Sequence, residues 1–129
     1  MIVIDSSVWI AHLRNAETPA VLTLRNLDGE RDILVGDLIL LEVLQGARDD
    51  RHAALIERNL RQFTIVSMLG ERLAVQAARN YRLLRARGIT IRKTVDVIIG
   101  SFCIAGGHAL LHDDRDFDPM VEHLGLRIV

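Results

Sequence analysis

Four carboxylates in this chain stand where carboxylates are costly to keep. Glu42 interrupts Leu38-Ile39-Leu40-Leu41-Glu42-Val43-Leu44, and Asp96 interrupts Val95-Asp96-Val97-Ile98-Ile99. Asp5 closes the apolar run Ile2-Val3-Ile4, and Asp114 follows Ala109-Leu110-Leu111-His112-Asp113. Acids are rarely fully buried unless paired. Lys93 is the only lysine, and arginines are scattered thinly around these positions. Two carboxylates about 5 Å apart repel by roughly 3 kcal/mol at an effective dielectric of 20. Four together need protons or a cation at neutral pH. All-oxygen ligand sets suit Mg²⁺ or Mn²⁺, and magnesium keeps waters for a substrate. Such a centre supports phosphoryl chemistry, in which a water nucleophile is oriented and charge on the phosphate oxygens is neutralised.

The remaining acids have plainer explanations. Glu17, Glu30, Asp32, Glu57, Glu71 and Glu122 fall in polar surroundings and read as solvated. Asp37 and either Asp49 or Asp50 read as helix caps. In Asp113-Asp114-Arg115-Asp116-Phe117, Asp113 reads as exposed. Asp116 is either a further ligand or a turn residue.

The elements that must position these acids alternate in type. Ile2-Val3-Ile4 is a short buried strand, with Ser6 or Ser7 as N-cap of a helix beginning at Val8. Thr18 caps a helix with Pro19 at its first position, running to about Leu27. A second strand covers Ile33-Leu34-Val35. Asp37 caps a helix over Leu38 to Gln45 that is apolar nearly all round and therefore buried. A further helix opens at Asp49 or Asp50, with Ala53, Ile56 and Leu60 on one face. Phe63 to Val66 is a third strand. Glu71 to Arg87 is the longest helix, with the stripe Leu73, Ala77, Tyr81 and Leu84 turned away from Arg72, Arg79, Arg82 and Arg85. Gly88 ends it. Thr94 caps Val95 to Ala105, in which Gly100 and Cys103, at i+4 and i+7 from Asp96, leave room above the carboxylate. Ala109-Leu110-Leu111 is a fourth strand, followed by a short helix around Met120–His123 and a last strand over Leu126 to Val129. Short, apolar, non-alternating strands interleaved with helices predict a three-layer α/β/α fold. Its parallel sheet of about four to five strands is flanked by helices, with right-handed connections. Ligands of such sheets sit outside the carboxyl ends of the strands, where Asp5 stands.

Composition bounds the rest. The 129 residues are half hydrophobic, which fits a single domain over 1–129 with a real core. A net charge of −1 gives no whole-molecule field, so contact with a nucleic acid must come from a local patch. A single cysteine, Cys103, excludes an internal disulfide and fits a reducing compartment. No apolar run approaches a membrane span, and no signal peptide is visible. The expectation is a soluble cytoplasmic protein without a membrane partner.

Four segments carry a resemblance. Ile4-Asp5-Ser6-Ser7-Val8-Trp9-Ile10, Leu40-Leu41-Glu42-Val43-Leu44-Gln45-Gly46, Thr94-Val95-Asp96-Val97-Ile98-Ile99 and Leu110-Leu111-His112-Asp113-Asp114-Arg115-Asp116-Phe117 resemble, in order, the four blocks of a PIN-domain ribonuclease, nearest to the VapC-type toxins of type II toxin–antitoxin pairs. Each block alone is weak; four in sequence are specific. The resemblance implies a fourth strand beside the first, with Asp5, Glu42, Asp96 and Asp114 gathered in one acidic pocket. It implies RNA cleavage dependent on Mg²⁺ or Mn²⁺, a homodimer, and inhibition by a cognate VapB-like antitoxin. Asp5, Asp96 and Asp114 would hold the metal, and Glu42 would join them or act as general base. Asp116 would tune a second metal site. Ser7 is the better candidate than Ser6 to hold a water or phosphate, Ser6 serving the turn. Arg92 and Lys93, in the loop entering the Asp96 helix, would meet RNA phosphates; Arg79, Arg82, Arg85 and Arg87 precede them in sequence.

Trp9, Ile10 and Leu13, with Leu38 and Leu41, read as core, or as part of a groove for an antitoxin helix. Cys103 reads as a small core residue. His108 and His112 read as residues lying along a strand. Rival readings fit less well. A haloacid-dehalogenase-like phosphatase needs an acid at position 7, which is serine, and a phospho-receiver needs an acid pair after the first strand and a late lysine. A flap-type DNA nuclease would carry long insertions. A PIN-fold nuclease of RNA processing unlinked to an antitoxin, and a non-catalytic RNA-binding PIN module, stay open as alternatives.

Overall fold

The structure, a computed structural model, describes residues 1–29 and 32–129. Glu30 lies outside the described residues. Ile2–Ile4 forms β1 and Ser6–Leu13 forms α1; α2 is Pro19–Arg25, β2 Ile33–Gly36, α3 Asp37–Gln45 and α4 Asp50–Leu60. Thr64–Val66 forms β3, Glu71–Ala86 α5, Thr94–Gly106 α6, Ala109–Leu111 β4, Asp118–Leu124 α7 and Arg127–Ile128 β5, with a 3-10 turn over Arg115–Phe117.

All five strands pair in parallel, in the order β3-β2-β1-β4-β5. Val3 stands between Leu34 and Leu110 in register. Strand and helix alternate in the chain because each parallel pair needs a crossover, and the strands are apolar throughout because both faces are covered. Val3, Ile4, Val35 and Leu110 are fully buried. The helices fall into two groups, α1 to α4 packed among themselves and α5 to α7 with the 3-10 turn. The order reverses between β1 and β4: the chain grows outward through β2 and β3, then returns to lay β4 on the other side of β1. That is the topological switch point, where an open α/β sheet leaves a crevice beyond its strand ends. Among the described residues, no helix is long and apolar enough to cross a membrane.

Several local expectations change. Asp5, not Ser6 or Ser7, caps α1: its side chain accepts the Ser7 N–H, and both serines lie inside the helix. Asp37 is the first residue of α3 rather than its cap. Its Oδ1 accepts the N–H groups of Leu38 and Met68, tying the start of α3 to the segment after β3. Thr94 likewise lies inside α6, whose cap position is Lys93 without a side-chain bond. Asp49 is a true N-cap, accepting from His52 N–H at 2.8 Å. Helix α3 is not buried all round. Ile39 and Val43, one turn apart, face the core, while Leu41 is 57% exposed. The room expected at Gly100 is filled: a Cβ there would come within 2.2 Å of Met120 Sδ, so the glycine lets α7 press against α6. Cys103 is fully buried, and among the described residues there is no disulfide.

Candidate active site

The four costly acids come from four elements. Asp5 leaves the end of β1, and Asp114 lies beyond the end of β4. These strands are neighbours, and Asp5 N–H donates to Leu111 C=O at 2.9 Å, so both acids leave the same edge of the sheet. Asp96 lies in the first turn of α6, where the positive end of the helix favours a negative group. Glu42 is carried by α3.

Asp96, Asp114 and Asp116 each offer an oxygen within 4.8 Å of the others. Asp116 reaches this trio through the 3-10 turn, whose cap is Asp114: Asp114 Oδ1 accepts the Asp116 N–H at 2.9 Å. Asp5 stands outside the trio, yet its charge acts on Asp96 and on Glu42, and it feels Asp114. Asp5 and Asp96 are each only 3% exposed. Burial raises the carboxyl of Asp5, against the lowering effect of its bonds from Ser7 and Ser6. Burial, then the charges of Asp114, Asp5 and Glu42, push Asp96 up to about 7, with Lys93 the one group opposing. Glu42 is raised too, chiefly by burial, against the bond from Ser6. One oxygen of each deeply buried acid, Asp5 Oδ1 and Asp96 Oδ2, has no hydrogen-bond partner among the described residues. Unpartnered buried carboxylate oxygens are expensive. A divalent cation would satisfy both, and the donor set is all oxygen, as Mg²⁺ or Mn²⁺ prefers.

The two serines serve different carboxylates. Ser7 Oγ donates to Asp5 Oδ2 at 2.5 Å and accepts from Asp113 N–H at 3.2 Å. Its hydroxyl thus clasps the end of β1 to the segment after β4. Ser6 Oγ donates to Glu42 Oε1 at 3.0 Å, so Ser6 is more than a turn residue. Arg92 and Lys93 are exposed just before α6; only Lys93 is close enough to lower Asp96 and Glu42. Arg79, Arg82, Arg85 and Arg87 are exposed, with the Arg85 guanidinium 5.9 Å from the Tyr81 ring centre and Arg87 beside His123. Asp113 is exposed.

Two contributors escaped the sequence. His112, just past β4, accepts the Asp114 N–H on Nδ1 at 3.1 Å and packs on Phe117, which shapes the loop carrying Asp114. Asn80 is 5% exposed and donates to Ser101 Oγ at 2.8 Å, joining α5 to the Asp96 helix. A signal for it existed: position 80 falls between Ala77 and Leu84 on the same apolar stripe, where an amide needs a partner. His108 precedes β4 and stacks on Phe102 at 5.5 Å.

The comparisons agree with this geometry. The PIN domain profile matches residues 2–121. Ribonuclease VapC11 of Mycobacterium tuberculosis is 32% identical over 129 residues, spanning 98% of this chain and 96% of that protein. A VapC ribonuclease of Mycobacterium bovis is similar to the same extent. Among solved structures, VapBC2 from Rickettsia felis bound to a promoter DNA fragment superposes with a TM-score of 0.79 at 15% identity, over 100% of this chain and 98% of that one. VapC20 of M. tuberculosis, described as a sarcin–ricin loop cleaving toxin, gives 0.67 at 20% identity over 92% and 93%. At those identities the structures speak for the fold; the profile and the VapC relatives speak for descent. A parallel sheet of order 3-2-1-4-5 with acids at its switch point, matched along nearly its whole length, places this chain in the PIN-domain family, with the VapC ribonucleases.

Proposed function

We propose that the chain is a divalent-metal-dependent endoribonuclease, the toxin of a VapBC-like pair. The observation that carries this is the packing of Asp96, Asp114 and Asp116 oxygens within 4.8 Å, with buried, unpartnered Asp5 and Asp96 oxygens beside them. Asp96, Asp114 and Asp116 would hold Mg²⁺ or Mn²⁺, with Asp5 directly or through water. Bound there, the ion would neutralise phosphate charge and make water a better nucleophile. Glu42 lies outside the trio and is half-buried, which suits a general base. Its free Oε2 takes the proton of a water that attacks phosphorus in line. The P–O3′ bond breaks and the departing O3′ takes a proton from solvent water, leaving a 5′-phosphate and a 3′-hydroxyl. Ser7 keeps Asp5 and the Asp113–Asp114 segment together. Lys93 supplies positive charge at the rim of the pocket and Arg92 a phosphate contact farther out.

The antitoxin reading has its own support. Trp9, His12, Leu24 and Phe63 line a groove over α1 and α2, and the buried Trp9 Nε1 and His12 Nδ1 have no partner there. Leu13 lines the adjoining groove with Trp9, and the working form is a homodimer. The test offers purified protein RNA and DNA of one sequence, with Mg²⁺, with Mn²⁺ and with EDTA. Internal cuts in RNA bearing 5′-phosphates, abolished by EDTA, are expected. Cleavage that survives EDTA, or DNA cut as fast as RNA, would refute it.

A further inference from the structure

Among the described residues the Ser6 hydroxyl makes one hydrogen bond, and it is long-range. Its Oγ donates to Glu42 Oε1 at 3.0 Å, across 36 positions of chain. The two ends of this bond differ in stiffness. Ser6 is 9% exposed and directly follows Asp5, whose C=O accepts the Val8 and Trp9 N–H groups and whose N–H donates to Leu111 C=O. Glu42 is half-buried, and its carboxylate swings on three torsions. A hydroxyl fixed to the sheet therefore steadies a flexible acid, and the bond is charge-assisted when Glu42 is ionised. It occupies Oε1 and leaves Oε2 open.

We propose that Ser6 is a positioning residue: it holds Glu42 in the orientation in which Oε2 faces the reacting water. This rests on the reading of Glu42 as general base. A side chain ordered before the reaction does not have to be ordered during it.

Four proteins test it: wild type, Ser6→Ala, Ser6→Thr and Glu42→Gln, with Ser6→Ala added to Glu42→Gln as a fifth. At saturating RNA, Ser6→Ala is expected to cut about tenfold more slowly. Its KM for RNA and its Mn²⁺ affinity by calorimetry stay within about twofold of wild type. Ser6→Thr, which keeps the hydroxyl, regains most of the rate, and Ser6→Ala adds nothing to Glu42→Gln. An Ala variant as fast as wild type, a Thr variant as slow as Ala, or a loss of Mn²⁺ affinity matching the loss of rate would overturn the proposal. NMR couplings along the Glu42 side chain read the same bond without cleavage. One rotamer in wild type and averaging in Ser6→Ala is expected; a single rotamer in both refutes the positioning role. A wild type that cuts nothing refutes the nuclease reading and the reaction Ser6 serves, while the couplings separately decide whether the hydroxyl orders Glu42.

Discussion

Asp96→Asn should make the metal-free protein more resistant to alkaline pH, and the size of the effect follows from the site. Asp96 is 3% exposed and held up to about 7, from an ordinary 3.8, by burial first and then by Asp114, Asp5 and Glu42. In the unfolded chain it ionises near 3.8. The folded state therefore holds its proton longer than the unfolded state, and stability falls as pH rises from about 4 to about 7 before levelling off. Linkage puts the loss on the order of 2 kcal/mol at pH 5 and 4 kcal/mol at pH 8. Asparagine has no such titration, so the stability difference between variant and wild type should shift by about 2 kcal/mol in the variant's favour between those pH values. That difference does not depend on the constant cost of burying the amide. Urea melts in EDTA at pH 5, 6, 7 and 8 measure it. Mg²⁺ or Mn²⁺ at pH 8 should restore wild type and leave Asp96→Asn almost unchanged. Parallel stability curves for the two proteins from pH 5 to 8 would refute the claim that crowded, desolvated carboxylates define this site.

Further outcomes follow from the same geometry. Glu42→Gln should lower kcat by at least about a hundredfold while RNA still binds, since the amide fills the same space without accepting a proton; equal turnover would remove Glu42 as base. Lys93→Ala should slow cleavage at saturating RNA. Arg92→Ala should weaken binding and flatten the salt dependence by about one phosphate contact. Cleavage rates and filter binding across salt concentrations separate the two, and identical behaviour would show that the pocket does not distinguish them. Gly100→Ala should destabilise by about 1–3 kcal/mol in denaturant melts, because its Cβ would land on Met120 Sδ. An unchanged midpoint would mean that α7 yields freely.

The acids were legible because burial makes a carboxylate conspicuous. Asp96 inside Val95–Ile99 and Asp5 after Ile2–Ile4 announce themselves by violating the pattern around them. Asp116 was harder, since Asp-rich turns are ordinary; only the bond from its N–H to Asp114 Oδ1 bends it into the trio. Glu42 was placed in a buried helix because Leu38 to Leu44 is apolar almost throughout. Orientation on a helix decides which leucine meets solvent, and it is Leu41 that does. The two serines find different partners for the same reason: adjacent residues on a helix point about 100° apart. Ser6 meets Glu42 from another helix, and Ser7 meets Asp113 from another strand end.

Residue types and their spacing, on their own, determined the alternation of strands and helices, the buried carboxylates, and therefore the demand for a cation. These are local properties: periodicity, capping and the cost of desolvating a charge act over a few residues. Tertiary structure alone decided which acids come together, which hydroxyl serves which carboxylate, and what fills the space above Gly100. Those depend on the sheet order that sets β4 beside β1 and on the rotation of α3 and α6 against it. Such contacts span tens of residues, and chain spacing does not encode them.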